Sequence, residues 1–338
     1  MPEETELAEQ RQVAPNENHL PKPANRTVGF DTLHGAEELL IEYLSSESEI
    51  PMPTGIRSLD ISLAGGLRRK NLYVIAGRTG EGKSSLAMSI ARRMAIEHKF
   101  AVLYMSLEMT KQELIERMIC QATLTPLQEI EGLRTTGALV EKTKMLRRGL
   151  RKAWFHIEDL RGASLLELDA IWNEMQPSER KPDLLVVDHL QRVNFGLGIG
   201  LAVNRADAIN QYVVDLTHFS KLKNIAVLLC CQINRQGSEK PGLIHLKGSG
   251  GIEENASAVM IGSRQNMDKT QTTEDKSADC EYDLWIAKHR RGPESKITLT
   301  FRPPCFEFLE PASYGQVRHP ALETTVTDGV EDDDSIQL

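Results

Sequence analysis

The sequence predicts an α/β domain whose mostly parallel sheet is flanked by helices and extended by antiparallel strands at one edge. Between residues 72 and 231, short apolar runs typical of buried strands alternate with segments of helical periodicity. This alternation is typical of parallel sheets covered on both faces. The last strand-like runs follow one another with no helical segment between them, which favours an antiparallel edge.

Nine apolar runs of four to seven residues predict the strands, in the order Leu72–Ala76, Ala101–Ser106, Trp154–Glu158, Leu184–Asp188, Ile225–Cys231, Ala258–Gly262, Tyr282–Ala287, Ile297–Phe301 and Phe306–Leu309. Five segments with apolar residues at helical spacing predict the helices, which are Ser84–Glu97, Lys111–Gln121, Leu139–Arg151, Leu165–Met175 and Arg205–Leu222.

The composition of the 338 residues, 40% hydrophobic and 26% charged, is that of an ordinary globular protein and excludes collagen-like and wholly disordered classes. The longest apolar run, Ile225–Cys231, is too short for the roughly 20 residues of a membrane span. The polar, acidic start is unlike a secretory signal. Five cysteines without a CxxC pair indicate a reducing compartment and no zinc site. We therefore expect a cytoplasmic protein with no membrane partner.

The formal net charge of −8 is concentrated at the two ends of the chain. Residues 1–19 carry a net charge of −4 and residues 323–338 a net charge of −6, which leaves +2 for the middle. The acidic total therefore does not exclude a nucleic-acid partner.

Composition also predicts the domain organisation. We expect a disordered tail over residues 1–30, a linker helix within 31–52, one motor domain over 53–311 and an acidic disordered tail over 312–338. The linker helix is predicted by apolar residues at helical spacing between Leu33 and Tyr43, with Asp31 as N-cap.

A phosphate-binding loop is predicted where the first strand ends and the first long helix begins. The segment GRTGEGKS fits the pattern G-x-x-x-x-G-K-[ST] in its required strand–loop–helix context. Its glycines let backbone N–H groups turn toward an anion, and the helix N-terminus adds partial positive charge. Lys83 is expected to reach the β- and γ-phosphates, and Ser84 to offer a hydroxyl to Mg²⁺. The candidate nucleotide-binding residues are Gly77, Arg78, Thr79, Gly80, Glu81, Gly82, Lys83, Ser84 and Ser85.

Two carboxylates are candidates for the chemistry that follows binding. Asp188 ends the buried run LLVVD and can hold Mg²⁺ through water. The next residue is His189 rather than a glutamate, so the base that orients the attacking water must come from elsewhere. Glu108 ends the run VLYMSLE, and the carboxyl ends of parallel strands line the ligand crevice. On position alone, an exposed glutamate that begins a helix is an equally good interpretation.

Seven segments occur in the order and at the spacings of one family: PTGIRSLD, GRTGEGKS, YMSLEMT, VVDHLQ, LLCCQINR, LKGSGGIEENAS and IAKHRRGP. Over about residues 53–310 the chain resembles the C-terminal RecA-like motor of DnaB-type replicative helicases. The resemblance implies a RecA-like P-loop NTPase fold, with ATP and Mg²⁺ as cofactors. It also implies 5′–3′ translocation on single-stranded DNA with duplex unwinding, a hexameric ring, and primase or a helicase loader as possible partners. The compact form suggests a phage- or plasmid-encoded protein working in a bacterial cell or a phage-infected host.

The resemblance also implies roles for individual residues. Glu108 resembles the catalytic glutamate, and Gln232, at the end of AVLLCCQ, resembles the sensor of the γ-phosphate. Lys288 and Arg290 resemble the pair that a neighbouring subunit inserts against that phosphate, although a basic turn after a strand is the simpler interpretation of HRR. Arg117 matches a family arginine near the catalytic glutamate.

DNA contacts are implied for the segment Lys247, Gly248, Ser249 and Gly250, which resembles the central-pore loop that tracks a single strand. The family usually has Arg-Glu-Ser-Gly there, so the acidic member is missing. Residues 194–204 correspond to a mobile loop of the family. The linker helix matches one that packs on the adjacent subunit, and the roughly 50 residues before the motor are too few for the family's helical N-terminal domain.

Two other functions remain open. The first is a RecA-like or clock-protein-like ATPase that works in recombination or regulation without unwinding, which shares the phosphate loop and the strand order. The second is a DNA-binding adaptor with degenerate chemistry. The SLEM motif at Glu108 and the Lys288/Arg290 pair favour the helicase over the first, and intact Lys83, Ser84, Glu108 and Asp188 argue against the second.

Overall fold

A computed structural model describes residues 50–160, 162, 164–175, 180–193, 205–233, 250–265 and 278–311, together with residues 37, 38, 40, 41 and 44. The chain divides into two units, Met1–Ser46 and Glu47–Leu338. In the first unit the described residues are helical and exposed. The packing of the linker helix on a neighbouring subunit stays a prediction, and so do the predicted domain boundaries.

The second unit contains one mixed sheet whose described strands are β1 Leu72–Gly77, β2 Val102–Ser106, β3 Phe155–Asp159, β4 Leu184–Asp188, β5 Ala226–Gln232, β6 Ala258–Arg264, β7 Cys280–His289, β8 Ser295–Arg302 and β9 Glu307–Leu309. Their order across the sheet is β3-β2-β4-β5-β1-β6-β7-β8-β9. Across the sheet, the first six strands, β3-β2-β4-β5-β1-β6, pair in parallel. The last four, β6-β7-β8-β9, pair antiparallel. The predicted fold class, including its antiparallel edge, is confirmed.

The described α-helices are α1 Arg57–Ser62, α2 Lys83–Ile96, α3 Lys111–Thr123, α4 Leu127–Thr135, α5 Ala138–Lys142, α6 Lys144–Arg151, α7 Leu165–Met175, α8 Arg205–Lys223 and α9 Gly250–Asn255. Two 3₁₀ turns lie at Leu190–Arg192 and Pro303–Cys305. Four of the five predicted helices are present, and their ends lie within two residues of the predicted ends. All nine predicted strands are present with the same agreement.

The predicted single helix over Leu139–Arg151 is wrong, because the chain forms α5 and α6 with a break at Thr143. The Thr143 hydroxyl donates to the Leu139 carbonyl at 2.8 Å, and side chains that bond the local backbone compete with helix continuation. Helices α1, α4 and α9 were not predicted. Each buries at most three side chains, so their apolar periodicity is weak.

Alternation along the strands sends side chains to two apolar cores. Tyr73 and Ile75 of β1 face the core that contains α2, whereas Val74 and Ala76 face the core that contains α8. All six residues of β1 are buried, as expected for a central strand covered on both faces. Among the described residues, no helix is both long and apolar enough to cross a membrane.

An ion-pair network ties the last strand to the helix that follows the phosphate loop. Glu307 is 1% exposed, and its carboxylate accepts hydrogen bonds from Ser89 (2.7 Å), Arg92 (3.0 Å) and Arg93 (2.7 Å). Arg93 also donates to the Gly55 carbonyl at 3.0 Å. The network therefore joins β9, α2 and the entry to the motor domain.

We expect Glu307→Gln to lower the free energy of unfolding by about 3 kcal/mol, because it removes the only carboxylate of the described residues within 4 Å of Arg93 and leaves Arg92 with the more distant Glu97 at 3.8 Å. Urea denaturation measures the change. The matched control is Glu131→Gln, whose carboxylate is 77% exposed and pairs with Arg134 at 3.6 Å. We expect this control to lower the free energy of unfolding by about 0.5 kcal/mol or less. Equal effects of the two substitutions would contradict a structural role for the buried network.

Candidate nucleotide-binding and hydrolysis site

The phosphate loop takes the conformation that the motif predicts at two of its three glycines. Gly80 and Gly82 have φ of +82° and +90°, the left-handed region that favours glycine. Gly77 has no positive φ and ends β1. A Cβ there would lie 3.0 Å from the Gly262 carbonyl oxygen, so Gly77 permits close packing rather than an unusual turn. Helix α2 begins at Lys83, and its N-terminus therefore faces the loop.

Two charged side chains are buried within this loop. The Lys83 ammonium donates to the Arg78 carbonyl at 2.7 Å. Glu81 accepts from the Arg78 backbone N–H at 2.8 Å. Burial raises the pKa of Glu81, against the opposing effects of that hydrogen bond and of nearby cations. The shape of the loop thus depends on Gly77, Arg78 and Glu81, whereas Lys83 lines the cavity.

A hydroxyl and a carboxylate meet where α2 begins and β4 ends. Ser84 Oγ donates to Asp188 Oδ1 at 3.0 Å, and Tyr104 Oη donates to Asp188 Oδ2 at 2.8 Å. Asp188 is 3% exposed. Burial, followed by the adjacent Asp188 carboxylate, raises the pKa of Tyr104 well above its usual value, so its hydroxyl remains a donor. Ser84 and Asp188 therefore form an oxygen pair that Tyr104 holds in place.

Glu108 lies two residues beyond the end of β2, in the turn before α3, rather than at the strand end that the sequence predicts. Ser106 closes this turn, because its hydroxyl donates to the Met109 carbonyl at 2.7 Å and accepts from the Met109 N–H at 3.0 Å. The Leu107 N–H donates to the Asp188 carbonyl at 2.7 Å, which joins the ends of β2 and β4. These contacts place Glu108 beside Asp188 on the same rim.

Both carboxylate oxygens of Glu108 have cationic or potentially cationic neighbours. Arg192 donates to Oε1 at 2.8 Å, and His189 Nδ1 lies 3.2 Å from Oε2. Partial burial raises the pKa of Glu108, but the Arg192 hydrogen bond and the charges of His189, Arg192 and Lys83 outweigh it and lower the pKa overall. Burial is also the main cause that lowers the pKa of His189. Glu108 is therefore ionised at neutral pH, as an acceptor of protons must be.

Gln232 ends β5 and reaches across to the phosphate loop. Its side-chain amide donates to the Thr79 hydroxyl at 2.6 Å. Gln191 holds the backbone of Gln232 from the other side, because its Oε1 accepts from the Gln232 N–H at 3.0 Å and its Nε2 donates to the Gln232 carbonyl at 3.2 Å. The amide of Gln232 thus lies between the loop and the end of β4.

These groups line one cavity of about 740 Å³. Of the residues predicted from the sequence, its walls include Thr79, Gly80, Gly82, Lys83, Ser84, Ser85, Glu108, Arg117, Asp188 and Gln232. The walls also include residues that the sequence did not single out, namely Met109, Glu113, His189, Gln191, Arg192, Arg264, Phe301, Pro303 and Phe306.

Aromatic and guanidinium groups also line the cavity. The Arg117 guanidinium lies over the Phe306 ring at 4.7 Å, and the Arg264 guanidinium lies over the Phe301 ring at 4.4 Å. Phe306 has φ of +56°, which is uncommon for a bulky residue, and Gln121 donates to its carbonyl at 2.9 Å. Phe306 and Arg117 thus give the cavity a flat apolar and cationic surface, which suits the planar base of a nucleotide.

Lys288 and Arg290 do not line this cavity. Lys288 belongs to β7 rather than to the turn after it, and Arg290 follows the strand. Lys288 donates to the Glu253 carbonyl and Arg290 to the Glu254 carbonyl, both near the end of α9. Burial, with the neighbouring Arg290 charge, lowers the pKa of Lys288. Within one chain, therefore, the structure does not bring this pair to the phosphate loop.

The candidate DNA segment falls almost wholly outside the described residues. Lys247, Gly248 and Ser249 lie outside them, as does the segment 194–204, while Gly250 is the first residue of α9. Their proposed contacts with DNA stay predictions.

Comparison with known proteins adds the family. The sequence model of the DnaB-like helicase C-terminal domain matches residues 51–310. The chain therefore belongs to the DnaB-like helicase C-terminal domain family. It is 26% identical over 300 residues to the replicative DNA helicase DnaB of Leifsonia xyli, a match that spans 88% of this chain and 62% of that protein. It is 28% identical to the DnaB of Mycoplasma genitalium over 83% of this chain and 61% of that protein. The chain thus spans about three fifths of the length of these relatives.

Solved structures agree with this family and with its fold. A DnaB-like replicative helicase studied with primase matches with a TM-score of 0.68 and 26% identity, over 84% of this chain and 67% of that one. A solved ATPase domain matches with a TM-score of 0.69 and 26% identity, over 82% of this chain and 98% of that one. A KaiC-like protein of Pyrococcus horikoshii matches at 17% identity with a TM-score of 0.50, over 77% of this chain and 97% of that one, which shows a shared fold alone. The fold is the RecA-like ATPase fold, and family membership implies nucleotide binding.

We expect Lys83→Ala to weaken equilibrium binding of a fluorescent ATP analogue by about tenfold or more, because the ammonium is the charge nearest the loop's anion site. Fluorescence titration measures the dissociation constant. Lys221→Ala, which removes an exposed lysine of α8, is the matched control and should leave binding unchanged. A Lys83→Ala protein that binds as tightly as the wild type would place the phosphates elsewhere.

Proposed function

We propose that this chain is the motor of an ATP-dependent replicative DNA helicase, which translocates 5′–3′ on single-stranded DNA and unwinds duplex DNA. One observation carries the proposal. In a chain of the DnaB-like family, a phosphate-loop lysine, a hydroxyl–carboxylate pair, an ionised glutamate and a strand-end amide line one cavity. This set contains the groups that nucleotide binding and hydrolysis require within one subunit.

ATP occupies the cavity with its phosphates at the N-terminus of α2. Lys83 exchanges the Arg78 carbonyl for phosphate oxygens, and loop N–H groups bind the same anion. Phe306 and Arg117, which also line the cavity, offer apolar and cationic surface to the base. The donor set also fits Mg²⁺, which prefers oxygen ligands and takes one or two carboxylates beside the phosphates. Ser84 Oγ and Asp188 would hold that ion, which would supply positive charge to the β- and γ-phosphate oxygens.

Glu108 is the general base. Its carboxylate orients the attacking water and accepts the proton at one of its oxygens as the water attacks the γ-phosphate, while the bond from the γ-phosphorus to the bridging oxygen breaks and ADP leaves. Gln232 detects whether that phosphate is present, since its amide already reaches Thr79 at the loop tip. Hydrolysis then changes the contacts of a side chain at the end of a central strand.

Lys288 and Arg290 act on the site of a neighbouring subunit in a hexameric ring. Neither residue lines the cavity of its own chain in the part that the structure describes, which supports this role in trans. Residues 247–250 contact the single strand through backbone N–H groups and Lys247. Primase or a loader is a possible partner at the replication fork, in the cytoplasm.

The decisive experiment is unwinding of forked duplexes that carry only a 5′ or only a 3′ tail, with ATP and Mg²⁺. We expect the wild type to unwind the 5′-tailed fork. Glu108→Gln should still bind ATP but lose at least about 100-fold in hydrolysis and unwinding, because it keeps its shape and loses the base. Strand exchange without unwinding by the wild type would instead favour a recombinase. Normal turnover by Glu108→Gln would move the base elsewhere.

Mixing two inactive variants tests the role of Arg290 in trans. Arg290→Ala and Lys83→Ala should each be nearly inactive alone. In an equal mixture, about a quarter of the sites pair an intact Lys83 with an intact Arg290 from the neighbour, as head-to-tail contacts require. Steady-state ATP hydrolysis with single-stranded DNA should therefore recover on mixing. If the mixture only equals the mean of the two variants, although subunit exchange is shown independently, Arg290 does not act in trans.

A further inference from the structure

The 3₁₀ turn Leu190–Arg192 contacts two of the residues to which the proposed function gives chemical roles. Only His189 separates this turn from Asp188, the last residue of β4. Leu190 of the turn is buried in the apolar core beside α8. The two polar side chains of the turn point in different directions along the rim of the cavity. Arg192 contacts Glu108, and Gln191 contacts Gln232.

The Glu108 carboxylate is held by two side chains, Arg192 at one oxygen and His189 at the other. The Glu108 side chain is 47% exposed, so packing alone does not select its rotamer. Arg192 NH2 donates to Oε1 at 2.8 Å, and His189 approaches Oε2. A guanidinium is planar and always charged, so it sets both the position and the plane of a carboxylate.

Gln191 of the same turn likewise holds Gln232 in place. Two hydrogen bonds, one in each direction, join the Gln191 side chain to the Gln232 backbone. The Gln232 amide then reaches Thr79 at 2.6 Å. Since both contacts start from one three-residue turn, the base and the sensor share one support.

We propose that Arg192 is a positioning residue, which acts on ATP hydrolysis by holding the Glu108 carboxylate in the orientation that the attacking water requires. This assignment rests on the proposed function, because it presupposes that Glu108 is the base. A base must lie within a few tenths of an ångström of its productive position, and groups held by a supporting shell meet that requirement. Arg192 supplies such support from the turn that also holds Gln232.

Kinetics of Arg192→Ala separate positioning from phosphate binding. We expect kcat for ATP, with single-stranded DNA saturating, to fall about 10- to 100-fold, the scale of a small misplacement of a reacting group. KM and the dissociation constant for an ATP analogue should stay within about twofold, because the partner of Arg192 is Glu108. Arg192→Lys should recover part of kcat, since an ammonium can pair with the carboxylate but cannot set its plane. A large rise in KM with kcat unchanged would instead place Arg192 on the phosphate and overturn the assignment.

The matched control is Arg134→Ala. Arg134 is 58% exposed and pairs with Glu131, and Arg192 is 57% exposed and pairs with Glu108, but Arg134 lies on α4 and does not line the cavity. We expect Arg134→Ala to keep the wild-type kcat and KM. Equal losses in the two variants would overturn the assignment, because exposed arginines in general would then reduce activity.

A double-mutant cycle shows whether Arg192 acts through Glu108. In the Glu108→Gln background, Arg192→Ala should reduce the residual rate no further, because the group that it positions has lost its function. Independent, multiplicative losses would overturn the assignment. A wild type that hydrolyses no ATP would overturn the proposed function together with this assignment. A fully active Arg192→Ala beside an inactive Glu108→Gln would overturn the assignment alone.

Discussion

Parallel pairing in register is the constraint on which the candidate site depends. Gly77 of β1 lies opposite Gln232 of β5, and Ser106 of β2 lies opposite Asp188 of β4. Because parallel strands end at the same edge, residues at or just beyond four strand ends meet there. A slip of one residue in either pair would turn its end residue to the opposite face of the sheet. The spacing of the phosphate loop, the carboxylates and Gln232 therefore follows from backbone hydrogen bonds before any side chain contributes.

The antiparallel strands complete the site from the other end of the chain. Phe301 of β8 and Phe306 in the turn before β9 line the cavity wall, while Glu307 of β9 binds Ser89, Arg92 and Arg93 of α2. Helix α2 is thus held at its beginning by the contact of Ser84 with Asp188 and near its end by the Glu307 network. The helix that presents the phosphate loop cannot shift along its axis without breaking one of these two attachments.

The sequence predicted those parts of the fold and the site that follow from local pattern. Nine apolar runs identified the strands, and the loop motif with its context identified the surroundings of Lys83. Strand-end position was enough to bring Asp188 and Glu108 to one rim, although Glu108 lies beyond its strand rather than on it, whereas Gln232 was singled out by the family resemblance. Short helices such as α4 escaped because one buried side chain gives no periodic signal.

The aromatic residues of the cavity wall could not be predicted from local pattern. Phe301 and Phe306 lie more than 200 residues from the phosphate loop, and a phenylalanine near a turn is ordinarily a core residue. Arg192 was nearer to being found, since it follows Asp188 by four positions in VVDHLQR. Its significance depends on which carboxylate it contacts, however, and only the pairing of β2 with β4 decides that.

The partners of the arginines distinguish those committed to their own subunit from one that can be exchanged. Arg192 is bound to Glu108 and Arg93 to Glu307, so each of these guanidinium groups faces a carboxylate of opposite charge. Arg290 donates instead to the Glu254 backbone carbonyl, a neutral acceptor at the end of α9. An arginine on a carbonyl gives up little when a phosphate is offered, whereas one on a carboxylate would leave an unpaired anion behind. On this comparison Arg192 pairs with a carboxylate of its own subunit and Arg290 with a neutral carbonyl, and this difference supports the proposed role of Arg290 at a neighbouring site.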